Sequence, residues 1–280
     1  VSDLFDFTPK QLRYAVFGNP ISHSKSPRVH GLFAEQFGIS LEYSAVQVDT
    51  GGFDQAVSGF QAGGGLGLNV TVPFKSNAWK LADQLTERAQ LAEAVNTLSL
   101  DGQIAGDNTD GIGLVRDIEQ NIGRAISGAH VLLIGAGGAA CGVVGPLLDC
   151  QPAKLTVVNR TVDRAVELEK RFQHLGAICG GGLDLATGSQ YDIVINSAST
   201  GLSGDLPAVS PTVFNDVRIA YDLMYSATST GFQMWAGSNG AQTTSDGLGM
   251  LVEQAAESFF IWHGKRPETG IVIDIIRKEM

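Results

Sequence analysis

The sequence predicts an α/β protein in two parts: an N-terminal α/β domain and a second domain built as a doubly wound parallel sheet. Three observations carry this. Short apolar strands alternate with amphipathic helices along the chain, which is the pattern of βαβ units. Residues 131–134 form a continuous apolar run, of the kind buried on both faces of a parallel sheet, and lead straight into a glycine-rich turn. At 280 residues the chain is long enough for two domains.

Residues 14–17 read as a compact strand that ends at the turn signal Gly18-Asn19-Pro20. Pro27 suits the first turn of a helix, in which Val29, Leu32, Phe33 and Phe37 recur at spacings of three and four until Gly38 stops it. Residues 41–48 are rich in β-formers, 53–60 make a short helix, and 66–72 form a strand that Pro73 ends. A helix is expected over 81–91, then a hairpin of 95–100 and 103–105 around Asp101-Gly102, then a helix over 112–122. In the second half, strands are expected at 131–134, 155–158, 193–195 and 219–222. Helices are expected from the glycine turn to about residue 148 and over 164–175, 248–263 and 271–277.

Composition narrows the function. Hydrophobic residues at 44% and charged residues at 17% exclude intrinsic disorder. With 19 basic against 29 acidic residues the net charge is −10, which lacks the basic footprint of a nucleic-acid binder and obliges an anionic ligand to find local donors. Glycine is one residue in eight, against a usual ~7%, with no collagen repeat. Cys141, Cys150 and Cys179 form no Cys-x-x-Cys pair, so neither a disulfide framework nor a metal site is expected, and a reducing compartment fits best. Residues 1–13 carry Asp3 and Asp6 and no apolar leader segment, and no run approaches 18 apolar residues. The expectation is a cytoplasmic protein with a small-molecule substrate, no nucleic-acid or membrane partner, and either a monomer or a homodimer.

Gly135-Ala136-Gly137-Gly138-Ala139-Ala140 fits the dinucleotide fingerprint of a Rossmann-type domain. The first glycine permits the tight turn, the second lets a pyrophosphate approach the backbone, and the small third residue lets helix and strand pack closely. The helix N-terminus offers unpaired N–H groups to phosphates. An NAD site usually carries an acid at the end of the next strand; this chain has Asn159-Arg160-Thr161, with Arg164 one turn on. Two guanidiniums and a hydroxyl suit a 2′-phosphate, which favours NADP, although Asp163 between the arginines counts against it.

The first half holds scattered polar groups. Ser22, Ser24 and Ser26 precede a helix and serve either as caps or as donors to a carboxylate. Alternation puts Asn69 and Thr71 on one strand face, with Lys75 just past the strand end. Asn96 follows Val95, and Gly106-Asp107-Asn108-Thr109-Asp110-Gly111 places two carboxylates before a helix, where either could act as a cap.

Together GNPISHSKSP, NVTVPFK, AVNTL, GDNTDG, the Gly135 loop, NRT and GMLVEQAA, in this order, closely resemble the shikimate dehydrogenase family over residues 14–276. The resemblance implies NADPH-dependent reduction of 3-dehydroshikimate to shikimate, a step toward aromatic amino acids. It implies an α/β substrate-binding catalytic domain over 1–111, joined by C-terminal helices over 248–280, and a Rossmann-type NADP-binding domain over 112–247, with a cleft between. By motif match, Lys75 and Asp110 are the catalytic pair. Ser24 and Ser26 take the substrate carboxylate, while Thr71, Asn96, Asp110 and Gln254 hold its hydroxyls and carbonyl, and Tyr225 is a further active-site residue. Gly135, Ala136, Gly137, Gly138 and Ala139 cradle the dinucleotide, with Asn159, Arg160, Thr161 and Arg164 on the 2′-phosphate. Cys141 stands where the resemblance leads one to expect an arginine. Two alternatives are a quinate/shikimate dehydrogenase of broader specificity and a non-catalytic NADP-sensing module; intact Lys75 and Asp110 argue against the second.

Overall fold

The computed structural model describes residues 11–186, 191–198 and 206–280, so most of the N-terminal stretch read for a leader lies outside the described residues. The first half supplies β1 (Leu12–Gly18), α1 (Ser26–Phe37), β2 (Leu41–Gln47), α2 (Phe53–Ala62), β3 (Gly65–Val70), α3 (Lys75–Leu81), β4 (Gln84–Leu85), α4 (Glu87–Ala92), β5 (Thr97–Ser99) and β6 (Ala105–Asp107). These strands form one sheet in the order β2-β1-β3-β5-β6-β4. β1 runs parallel to β2 and β3, and β5 is antiparallel to both β3 and β6. Phe17, Leu68, Val70, Phe74 and Leu98 pack in one core under α2 and α3.

The helix expected over 81–91 does not form as one piece. Ala82 is extended, the N–H groups of Asp83 and Gln84 donate to Ile104 O, and β4 pairs with β6. Thr86 then restarts the helix by accepting the Ala89 N–H. A sheet edge and a cap thus override the apolar spacing. Lys75, expected in a loop, is the first residue of α3.

The second half begins with α5 (Asp110–Arg116), which passes into a π-helical turn at Asp117–Asn121 rather than continuing as one α-helix. Then follow β7 (His130–Ile134), α6 (Gly138–Asp149), β8 (Lys154–Val158), α7 (Val162–Phe172), β9 (Ile178–Gly181), β10 (Ile193–Asn196), β11 (Ile219–Asp222), α8 (Gly231–Ser238), β12 (Thr244–Ser245), α9 (Leu248–His263) and α10 (Gly270–Lys278). Every strand pair here is parallel, in the order β12-β11-β10-β7-β8-β9. This is the doubly wound order in which the chain reverses direction beside its first strand, leaving a crevice at the C-terminal ends of β7 and β10. The sequence reading missed β9, α8 and β12. β12 is two residues long, and β9 carries two glycines, but α8 had a legible signal: Thr230 and Gln233 form a capping box.

α9 returns to the first sheet. Val252, Ala255 and Phe259 pack with Val29 and Phe33 of α1, and Trp262 Nε1 donates to Leu98 O at 3.2 Å. α5 is wedged between α6 and α9. A Cβ at Gly111 would lie 2.4 Å from Gly142 O, so only glycine permits that approach. Among the described residues no helix is long and apolar enough to cross a membrane.

Candidate active site

A cleft of about 370 Å³ opens between the two sheets. Its walls carry Ser24, Ser26, Thr71, Lys75, Asn96, Asp110, Tyr225 and Gln254, all eight residues singled out for substrate or catalysis. Ala139 of the glycine loop lines the same cleft.

Ser24 and Ser26 sit where β1 hands over to α1. Ser24 Oγ accepts the Ser26 N–H at 3.3 Å, while the N-cap position itself is Lys25 and makes no side-chain cap bond. Capping therefore accounts for one hydroxyl only in part, and both serines line the cleft. Thr71 follows the last residue of β3, so the expected alternation stops at Val70; Val72 lies 68% exposed beyond the end of the strand.

Lys75 Nζ lies 2.5 Å from Asp110 Oδ2. The other carboxylate oxygen of Asp110 accepts Asn96 Nδ2–H at 2.8 Å. Asn96 is 3% exposed and is itself held: its Oδ1 accepts the Thr109 N–H at 2.9 Å, and its Nδ2 also lies 3.2 Å from Gln254 Oε1. Asp110 N donates to Asn108 Oδ1 at 3.1 Å, and Asn108 Nδ2 donates to Ala94 O. A charge removed from water needs such pairing. Tyr225 enters from the loop after β11; burial, with Asp246 adding, raises its hydroxyl above the ordinary tyrosine value, so it is a donor at neutral pH.

The sequence reading placed Asn69 on the right strand face without assigning it to the site. It lines the cleft and is 6% exposed. Its Nδ2 reaches Asn96 O at 3.2 Å and Ser258 Oγ at 3.0 Å, and its Oδ1 accepts from Tyr43 Oη at 2.6 Å.

The dinucleotide side is equally well formed. Gly135 has φ +111°, and a Cβ there would meet Ser197 Oγ at 2.6 Å. Ala136 is buried, while Gly137, Gly138 and Ala139 are exposed. A Cβ on Gly137 or Gly138 would meet no described atom within 4 Å, and no side chain caps α6, so its N–H groups face open space. Ala140 is fully buried against the core of the second sheet. Asn159 follows the last residue of β8 and donates to Thr161 O at 2.9 Å. Arg160, Thr161 and Arg164 are exposed at the start of α7, and neither arginine forms an ion pair with a described residue. This cradle fits a phosphorylated dinucleotide. Cys141 points elsewhere, into a crevice of about 110 Å³ with Arg88, Leu91 and Phe172. Burial pushes its thiol pKa up.

A doubly wound dinucleotide domain facing a polar cleft with a lysine–carboxylate pair defines a nicotinamide-dependent oxidoreductase. Family models match three stretches: a shikimate dehydrogenase substrate binding domain at 16–98, a shikimate/quinate 5-dehydrogenase model at 117–202, and a shikimate 5'-dehydrogenase C-terminal domain at 247–277. The chain is 51% identical over 266 residues to the shikimate dehydrogenase (NADP(+)) of Hahella chejuensis, covering 95% of this chain and 98% of that one. Among solved structures it resembles an Ael1 enzyme from Pseudomonas putida (TM-score 0.90, 43% identity, 95% and 98% covered). It also resembles shikimate 5-dehydrogenase from Thermus thermophilus in complex with NADP(H) and shikimate (TM-score 0.86, 28% identity, 96% and 100% covered). The chain belongs to the shikimate dehydrogenase family.

Proposed function

We propose that this protein interconverts 3-dehydroshikimate and shikimate with NADP(H), with Lys75 and Asp110 moving the proton. The observation that carries the reading is the 2.5 Å contact between Lys75 and Asp110, inside a cleft that Ala139 of the glycine loop also lines. Residues 1–111 with 248–280 bind substrate, and 112–247 bind the cofactor through Gly135–Ala139, Asn159, Arg160, Thr161 and Arg164. Hydride transfer is the chemistry that NADP(H) supplies when bound.

The chain's own groups do the rest. Reduction of a ketone builds negative charge on its oxygen. The Lys75 ammonium stabilises that charge and donates the proton; in the reverse direction the pair takes it back. Asn96 occupies Asp110 Oδ1, which leaves Oδ2 directed at Lys75. The proton belongs to the pair rather than to either residue. Ser24 and Ser26 donate to the substrate carboxylate, which lets an anion bind despite a net charge of −10. Thr71, Asn96, Tyr225 and Gln254 hold the hydroxyls.

One spectrophotometric assay tests this: purified protein with shikimate or quinate, each with NADP or NAD, following the reduced nicotinamide. Turnover of shikimate with NADP is the expected result. NADP binding without turnover of any pair would overturn it in favour of a sensor.

A further inference from the structure

Tyr43 does not line the cleft, yet its hydroxyl reaches a residue that does. It donates to Asn69 Oδ1 at 2.6 Å. Asn69 stands near the end of β3 and lines the cleft, so a phenol on β2 braces one wall of the site from behind. The ring has its own anchor. It stacks on His30 at 4.3 Å with an interplanar angle of 9°, and His30 is 1% exposed.

The bond to Asn69 decides which way that amide faces. With Oδ1 taken by Tyr43, Nδ2 is turned toward Asn96 O, Thr97 Oγ1 and Ser258 Oγ. Asn96 in turn holds Asp110. Without the phenol hydroxyl, Asn69 Oδ1 loses its short partner, and the amide can flip.

We propose that Tyr43 is a positioning residue for substrate binding, acting through the orientation of Asn69. This rests on the function proposed above. It predicts a defect in substrate affinity rather than in chemistry, because Lys75 and Asp110 keep their direct contact.

The test is Tyr43→Phe in the full-length protein, which keeps the ring on His30. KM for shikimate is expected to rise about 5- to 30-fold, the effect of one hydrogen bond between positioned groups. kcat should stay within about threefold and KM for NADP within about twofold. In an Asn69→Ala background, adding Tyr43→Phe should change KM for shikimate by less than about twofold, because the route through Asn69 is already gone. An unchanged KM in the single variant overturns the proposal. So does full additivity in the double variant, or a kcat loss that tracks a fall in Tm, which would mark a purely structural role. The wild-type control separates the two readings. If the wild type does not turn over shikimate, the proposed function falls and takes Tyr43 with it; if it does and Tyr43→Phe leaves KM unchanged, only the role of Tyr43 falls.

Discussion

Lys75 and Asp110 lie 35 residues apart in the chain and 2.5 Å apart in space, each at the first residue of its own helix. Their contact joins α3, at the end of the first parallel strands, to α5, which leads into the dinucleotide domain. The pair is therefore built at the junction of the two halves, in the cleft that Ala139 of the glycine loop also lines.

If this pair shuttles the proton, Lys75→Ala should lower kcat by about 10²–10⁴, the usual range for loss of a general acid/base, with a smaller change in KM. Steady-state kinetics with shikimate and NADP check this. A kcat within a few-fold of wild type would remove Lys75 from the role.

Ser24→Ala should act on the other side of the kinetic split. If its hydroxyl donates to the substrate carboxylate, which binds alike in ground and transition states, KM for shikimate should rise with kcat nearly unchanged. An unchanged KM would end that assignment.

Arg160→Ala should weaken NADP binding while barely touching NAD, because only NADP carries the 2′-phosphate. No described residue forms an ion pair with its guanidinium, so the substitution costs the fold little. Titration of both dinucleotides checks this, and equal losses for the two would contradict it.

The motifs that could be read in the sequence are those whose chemistry is local. Gly135 needs its positive φ, α9 was legible over 248–263 from its periodicity, and Pro27 marks the first turn of α1. What could not be read depends on contacts across the chain. The break at 82–86 comes from pairing with β6, which no spacing of apolar residues announces. Asn69 and Tyr43 stayed hidden for the same reason: a tyrosine on an edge strand looks like any β-former until Asn69 is seen 2.6 Å away.

Acid should loosen the protein through His30. Burial, with His263 adding repulsion, pushes its pKa down to about 3 from an ordinary 6.5. Below about pH 6.5 the unfolded chain takes up a proton that the folded one refuses. Stability is thus full above 6.5 and falls as pH drops toward 3, by about 1.4 kcal/mol per pH unit from this residue. His263, also lowered by burial, acts with the same sign. Tm measured from pH 7 to 4.5 should fall more steeply for wild type than for His30→Gln, and parallel curves would refute the assignment.

The last prediction concerns the junction itself. Gly111 follows Asp110 in α5, and a Cβ there would lie 2.4 Å from Gly142 O and 2.5 Å from Pro146 Cγ in α6. A backbone oxygen and a proline ring cannot rotate aside, so Gly111→Ala must push the two helices apart. Overpacking of this kind costs about 1–3 kcal/mol. Because the displaced residue adjoins Asp110, kcat should fall along with Tm. Gly59→Ala in α2 is the control: nothing lies within 4 Å of its Cβ position, and alanine there favours the helix by up to about 1 kcal/mol. If Gly111→Ala unfolds and turns over like Gly59→Ala, α5 and α6 have slack, and the placement of Asp110 does not depend on their close approach.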